Sequence, residues 1–161
     1  MDRRELLGAF GAAAAGMMAT GAFAAPAGEG KDHHHHMDKV HEDCLSACAD
    51  CAKACNMMAH HCMDKIIDGG PDVKRHAKAH SLAMDCQAFC VLSASMIARG
   101  SDLMQYSCES CADACRRCAE ECEKPGGDAV MKSCGEKCRA CEKTCDEMVR
   151  HMKASSGLPN D

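Results

Sequence analysis

The sequence predicts an all-α protein: an up-down-up-down antiparallel four-helix bundle with a cysteine-lined core. Three observations predict it. First, cysteines recur at alternating spacings of three and four, as in CESCADACRRCAEEC from Cys108 to Cys122. At 100° per residue, Cys108, Cys111, Cys115, Cys118 and Cys122 share about 80° of one helix face. A strand would scatter them over both faces. Second, glycine and proline punctuation divides the chain into four segments of similar length. Connections of two to five residues make such neighbours antiparallel. Third, Leu, Ile, Val and Phe make only 14 of the 137 residues after position 24, against 16 cysteines and 13 methionines in the chain. A chain that poor in aliphatics is disordered unless something else fills its interior. Free Cys and Met both bury readily, so the core is expected to be sulfur.

The first helix is expected over about 37–67 and stops at Asp68-Gly69-Gly70. Its Cys44, Cys48, Cys51, Cys55 and Cys62 lie within about 60° of arc. Pro71 suits the first turn of a second helix, about 71–99. This one carries only Cys86 and Cys90, beside Leu82, Phe89, Leu92 and Ile97, and is expected to supply most of the conventional core. Gly100 reads as its stop and Ser101 as the cap of a third helix, about 102–124. Pro125-Gly126-Gly127 breaks that helix, and Asp128 can cap a fourth, about 128–153, which aligns Cys134, Cys138, Cys141 and Cys145. These are seam positions, with Asp, Glu, Lys and Arg between them for the solvent side. Residues 154–161 read as a tail.

Ahead of the bundle, residues 25–36 (APAGEGKDHHHH) read as a flexible arm, whose His33–His36 are either a transition-metal tract or simply solvated. Residues 1–24 have the form of a secretory signal, with a charged start, an Ala/Gly-rich middle and the small-residue ending Ala22-Phe23-Ala24. Arg3-Arg4 followed by Leu6-Leu7 resembles a twin-arginine signal, although Asp2 and Glu5 fit it imperfectly. The expected location is therefore periplasmic, after export in the folded state. Folding before export would keep the thiols reduced and buried. No other apolar run reaches the ~20 residues of a membrane span, so none is expected.

A net charge of −5 without basic clusters argues against nucleic acid. Disulfides within a helix would be strained, because i,i+3 and i,i+4 Cβ atoms lie ~5–6 Å apart where a bridge wants ~3.5–4.5 Å. Bridges between helices would not require four or five cysteines per seam. Structural zinc typically takes a closed quartet with CxxC on a turn. Iron–sulfur ligation uses loop-borne spacings, and a thioredoxin-like site needs a βαβ context. No catalytic constellation stands out, so the protein is expected not to be an enzyme. Soft thiolates and thioethers select Cu(I), and a continuous seam of shared ligands can hold on the order of 8 to 16 ions. Metal would also add the cohesion that the aliphatics lack. The end of helix 1 (Met57, Met58, His60, His61, Met63) and the start of helix 2 (His76, His80, Met84) together suggest a mouth, though each residue alone reads equally well as packing or solvated surface. Met148, His151 and Met152 at the other end read as packing and surface, and Met96 and Met104 as filler.

CxxxCxxCxxxC in helices 1 and 4, CxxCxxxCxxCxxxC in helix 3 and the junction ARGSDLMQYSCESCADACRRCAEEC resemble the four-helix-bundle copper-binding proteins, including the copper storage proteins, over about residues 40–150. The resemblance implies that all sixteen cysteines bind multiple Cu(I) ions, with Met58, His61 and Met63 at the mouth. It also implies a homo-tetramer and an exported store feeding a copper-requiring client enzyme. Richer Met/His content and the HHHHM arm depart from the family pattern. Storage or sequestration is the leading reading. Detoxification, delivery by a chaperone, and a disulfide-stapled structural module are the alternatives.

Overall fold

The computed structural model describes residues 37–156. The signal and arm expected over 1–36, and the last five residues of the expected tail, lie outside them. Four helices occur in order, and no strand is present among the described residues: α1 (Lys39–Asp68), α2 (Val73–Ala98), α3 (Met104–Cys122) and α4 (Ala129–Ser156). Each packs on two neighbours, α1 on α2 and α4, α3 on α2 and α4. Sulfur contacts give the directions. Cys44 and Cys48 of α1 meet Cys145, Cys51 meets Cys138, and Cys55 meets Cys134, so α1 and α4 run oppositely. Cys86 on Cys115 and Cys90 on Cys111 make α2 and α3 antiparallel in the same way.

The ends are set by local chemistry. Asp38 caps α1 by accepting from the His41 N–H. α2 closes in a Schellman turn: Gly100 at φ 61 lets Gly100 N–H reach the Ile97 carbonyl and Ser101 N–H the Met96 carbonyl. Asp128 caps α4 with one carboxylate oxygen on the N–H groups of Val130 and Met131. Pro71 and Asp72 form a turn, and α2 opens at Val73, two residues later than Pro71 suggests. Ser101 accepts from Leu103 N–H in a turn ahead of α3, which starts at Met104 and ends at Cys122. α4 continues three residues beyond 153, to Ser156.

The core is a stripe of cysteine with alanine spacers, closed at its ends by Met58, Met131, Met148, Met104 and Ile97. α2 differs from its reading. Ile97 is buried and Leu82 packs partly against the core, but Phe89 and Leu92 are 37% and 44% exposed, and Met84 and Val91 also face out. The inward face of α2 is instead Ala79, Ala83, Cys86, Cys90, Ser93 and Ile97. Small residues there let the helices close on the sulfur column. One apolar run was missed from the sequence. α2 is long and apolar enough to cross a membrane by length and composition, with mean hydropathy 1.4 over its best window. Ala, Cys and Met raise that value without a Leu/Ile run to flag it. A bundle helix meets the same criterion, and α2 buries its cysteine face against α1 and α3.

Candidate metal centre

The 3-4 spacing turns every cysteine of the four helices inward, and all sixteen are buried and free of disulfides. Neighbouring sulfurs in the middle of the column lie 3.5–4.0 Å apart, from Cys86 to Cys115 at 3.5 Å to Cys51 to Cys55 at 4.0 Å. A disulfide bond is ~2.05 Å, so these are open contacts. A metal ~2.3 Å from each sulfur, as in zinc thiolates, would space its ligands roughly 3.8–4.0 Å apart. The sulfurs therefore already stand at ligand spacing.

Sets of four thiols fall within 4.8 Å of one another, and the sets overlap. Cys51 and Cys86 belong both with Cys90 and Cys115 and with Cys55 and Cys138; Cys55 and Cys138 belong again with Cys118 and Cys134. Further along, Cys90, Cys111, Cys115 and Cys141 share two members with Cys48, Cys111, Cys141 and Cys145. The quartets that the sequence left invisible exist, but they share vertices, because each helix offers the column about one cysteine per turn and a sulfur lies between two such levels.

Burial favours the protonated form of a thiol. Cys62, set apart from the densest contacts, is pushed up to about 11, chiefly by burial, with the Asp128 charge adding to it. Within the column the thiols trade protons. Cys111 and Cys115, 4.0 Å apart, share one S–H···S contact, and that contact draws Cys111 below the ordinary thiol range while it pushes Cys115 above it. No Lys or Arg lies among the buried residues to stabilise thiolates.

Of the residues expected at the mouth, two reach the column's end. Met58 is fully buried, and its Sδ accepts from the Cys122 thiol at 3.2 Å. His61 is part-buried, with Nε2 2.5 Å from Asp128 Oδ2 and its ring 5.9 Å from that of His76. His76 Nδ1 is buried without a hydrogen-bond partner. Met57 (60% exposed), Met63, Met84 and His60 lie on outer faces, the last 3.8 Å from Asp64, because their angular positions turn them away from the cysteine stripe. Met131, buried beside this end, was not singled out from the sequence; it sits about one turn before Cys134 on the same stripe, which is the signal that marks it.

The opposite end is more organised than its reading as packing and surface. Asp38 receives His41 Nδ1 at 2.7 Å on one oxygen and His151 Nε2 at 3.1 Å on the other, and the two rings meet edge to face. The ring and N–H of His41 hold the Asp38 carboxyl down to about 2. A cleft of about 630 Å³ opens there, lined by Met37, Asp38, His41, Ile97 and Arg99 among others.

The profile of the copper storage protein family matches residues 32–150. An uncharacterized cysteine-rich protein of Bacillus subtilis, YhjQ, is 34% identical over 93 residues, covering 57% of this chain and 81% of that one. The Streptomyces lividans copper storage protein Ccsp, loaded with 10 copper equivalents, superposes with a TM-score of 0.62 at 27% identity, over 72% of this chain and 89% of that one. A crystal structure from Nitrosospira multiformis gives 0.61 at 32% identity, over 71% and 98%.

Proposed function

The chain belongs to the copper storage protein family, and on that premise we propose that it stores Cu(I) on the thiolates of its bundle core, binding without turnover. One observation carries the reading: quartets of buried thiols that share sulfurs along the whole column. Charge separates the candidate metals. Four separate zinc sites of four thiolates each would leave about two negative charges per site in an interior that holds no cation, which is costly. One Cu(I) per thiolate leaves the column neutral, and Cu(I) suits soft, shared sulfur ligands. The proposed ligands are all sixteen cysteines, from Cys44 to Cys145.

Met58, His61 and the unpartnered ring of His76 are proposed to pass the ion inward, thioether and imidazole being weaker holders of Cu(I) than thiolate. The form of residues 1–24 supports export through the twin-arginine route to the periplasm. Cell fractionation of a chain with Arg3 and Arg4 changed to Lys tests this, since the precursor should then stay in the cytoplasm. The resemblance supports a homo-tetramer and a copper-requiring client enzyme, and sedimentation of the loaded protein tests the first.

The deciding experiment is an anaerobic Cu(I) titration of the reduced protein against a competing chelator, with a parallel thiol count. Uptake of about 8 to 16 ions per chain, with the thiols free beforehand, is expected. Few free thiols and no uptake would sink the storage reading. Changing Cys111, Cys115 and Cys118 to Ala one after another should lower capacity stepwise; a discrete site would lose its metal at once.

A further inference from the structure

At the end of the column where Met58 and His61 stand, a lateral cleft opens beneath the α3–α4 loop. A cleft of about 550 Å³, within the ~300–1,000 Å³ of small-molecule sites, is lined by Cys122, Glu123, Lys124, Lys132, Glu136 and Arg139, together with Gly126 and Gly127. Cys122 is 3% exposed where the other fifteen cysteines are 1% or less, so this cleft reaches the outermost sulfur of the column. Of its three cations, Arg139 is tied to Glu123 and Glu142 and Lys124 to Glu121, which leaves Lys132 and Glu136 as the charges at the open rim. The walls are fixed. Arg139 bridges Glu123 and Glu142, and Arg75 donates to the Lys124 and Pro125 carbonyls at 2.8 Å, pinning the loop. Behind Cys122 stands Met58 Sδ, a neutral soft donor.

We propose that this cleft is an exchange site for a small anionic thiol, which takes Cu(I) from the column, or delivers it, through Cys122. The proposal rests on the Cu(I)-storage reading above. In the unloading direction, the incoming thiol sulfur bonds to the Cu(I) held at Cys122 as the Cys122 Sγ–Cu(I) bond breaks. The proton of the incoming thiol ends on Cys122 Sγ. Copper stays Cu(I), and no electron changes hands. Met58 holds the ion from behind while the thiolates trade, so it never passes through water. Lys132 at the rim favours a carboxylate-bearing thiol over a cationic one, and a volume of about 550 Å³ admits a body of about tripeptide size.

The test loads the full chain anaerobically with Cu(I) and follows copper loss to glutathione, an anionic thiol, and to cysteamine, a cationic one. Lys132→Glu and Glu136→Lys reverse single exposed charges at the rim and leave the core untouched. Lys132→Glu should slow loss to glutathione about three- to tenfold at low salt and speed loss to cysteamine; Glu136→Lys should do the opposite. Cys122→Ser should abolish the fastest phase with glutathione while most of the capacity remains. Full uptake with rates indifferent to both charge reversals would overturn this proposal alone. A wild-type chain that takes up no Cu(I) would overturn the storage reading, and this proposal with it.

Discussion

Gly135 shows at one residue how the column is closed. It is buried on α4, and a Cβ there would stand 3.1 Å from the Cβ of Cys122, an atom fixed to the α3 backbone. Alanine would gain about 1 kcal/mol of helix propensity, but forcing two helices apart costs about 1–3 kcal/mol. Gly135→Ala should therefore lower the stability of the metal-free protein by about 1 kcal/mol, read by urea unfolding; a more stable variant would mean that α3 and α4 can separate freely here. Met58 is the other telling residue. Truncating this buried side chain to Ala should cost about 2–5 kcal/mol by leaving a cavity. It should also remove the thioether partner of Cys122.

At the scale of an element, α4 is held at its start by one side chain with two duties. Asp128 caps the helix through Val130 and Met131 and grips His61 of α1 through its second oxygen. Burial works against its charge, but the Met131 N–H and His61 outweigh it and hold its pKa below the ordinary carboxylate value. A depressed carboxylate stabilises the fold above its unfolded value near 4, and that contribution is lost as pH falls through the lower folded value. Asp128→Ala should lower the metal-free melting temperature by the several degrees that a cap of about 1 kcal/mol implies. Asp128→Asn keeps the cap and weakens only the His61 contact, so it should recover most of that loss. Equal losses in the two variants would place the stability in the His61 contact instead.

For the whole molecule, metal and fold are linked. A buried thiol that keeps its proton at neutral pH, as Cys62 does at about 11, gives it up when Cu(I) binds. Each bound ion should release about one proton, so affinity should fall about tenfold for each unit that pH drops, measured by chelator competition at pH 6, 7 and 8. An affinity flat across that range would show that the thiolates exist before the metal arrives. Binding to the folded state alone should also raise the melting temperature of the loaded protein steeply over the metal-free one.

The sequence by itself determined the four-helix bundle and its sulfur core, because a 3-4 cysteine rhythm has one geometric meaning and Gly/Pro breaks left only short connections. The cysteine stripe was legible because periodicity is local. What α2 does was not: Phe89 and Leu92 look like core until the small Ala79, Ala83 and Ser93 are seen to take the inward face. The mouth was half legible. Met58 lies on the cysteine face of α1 and His60 and Met57 on its far side, but His61 and Met63 flank that face by about 100° on either hand, and it is Asp128 of the α3–α4 loop that draws His61 in. Only the tertiary structure decided which thiols share a quartet, that Asp38 joins His41 to His151, and that Cys122 comes to the wall of a cleft. Each of these depends on the register between helices far apart in the chain, and register is fixed by packing across the core, which no single helix encodes.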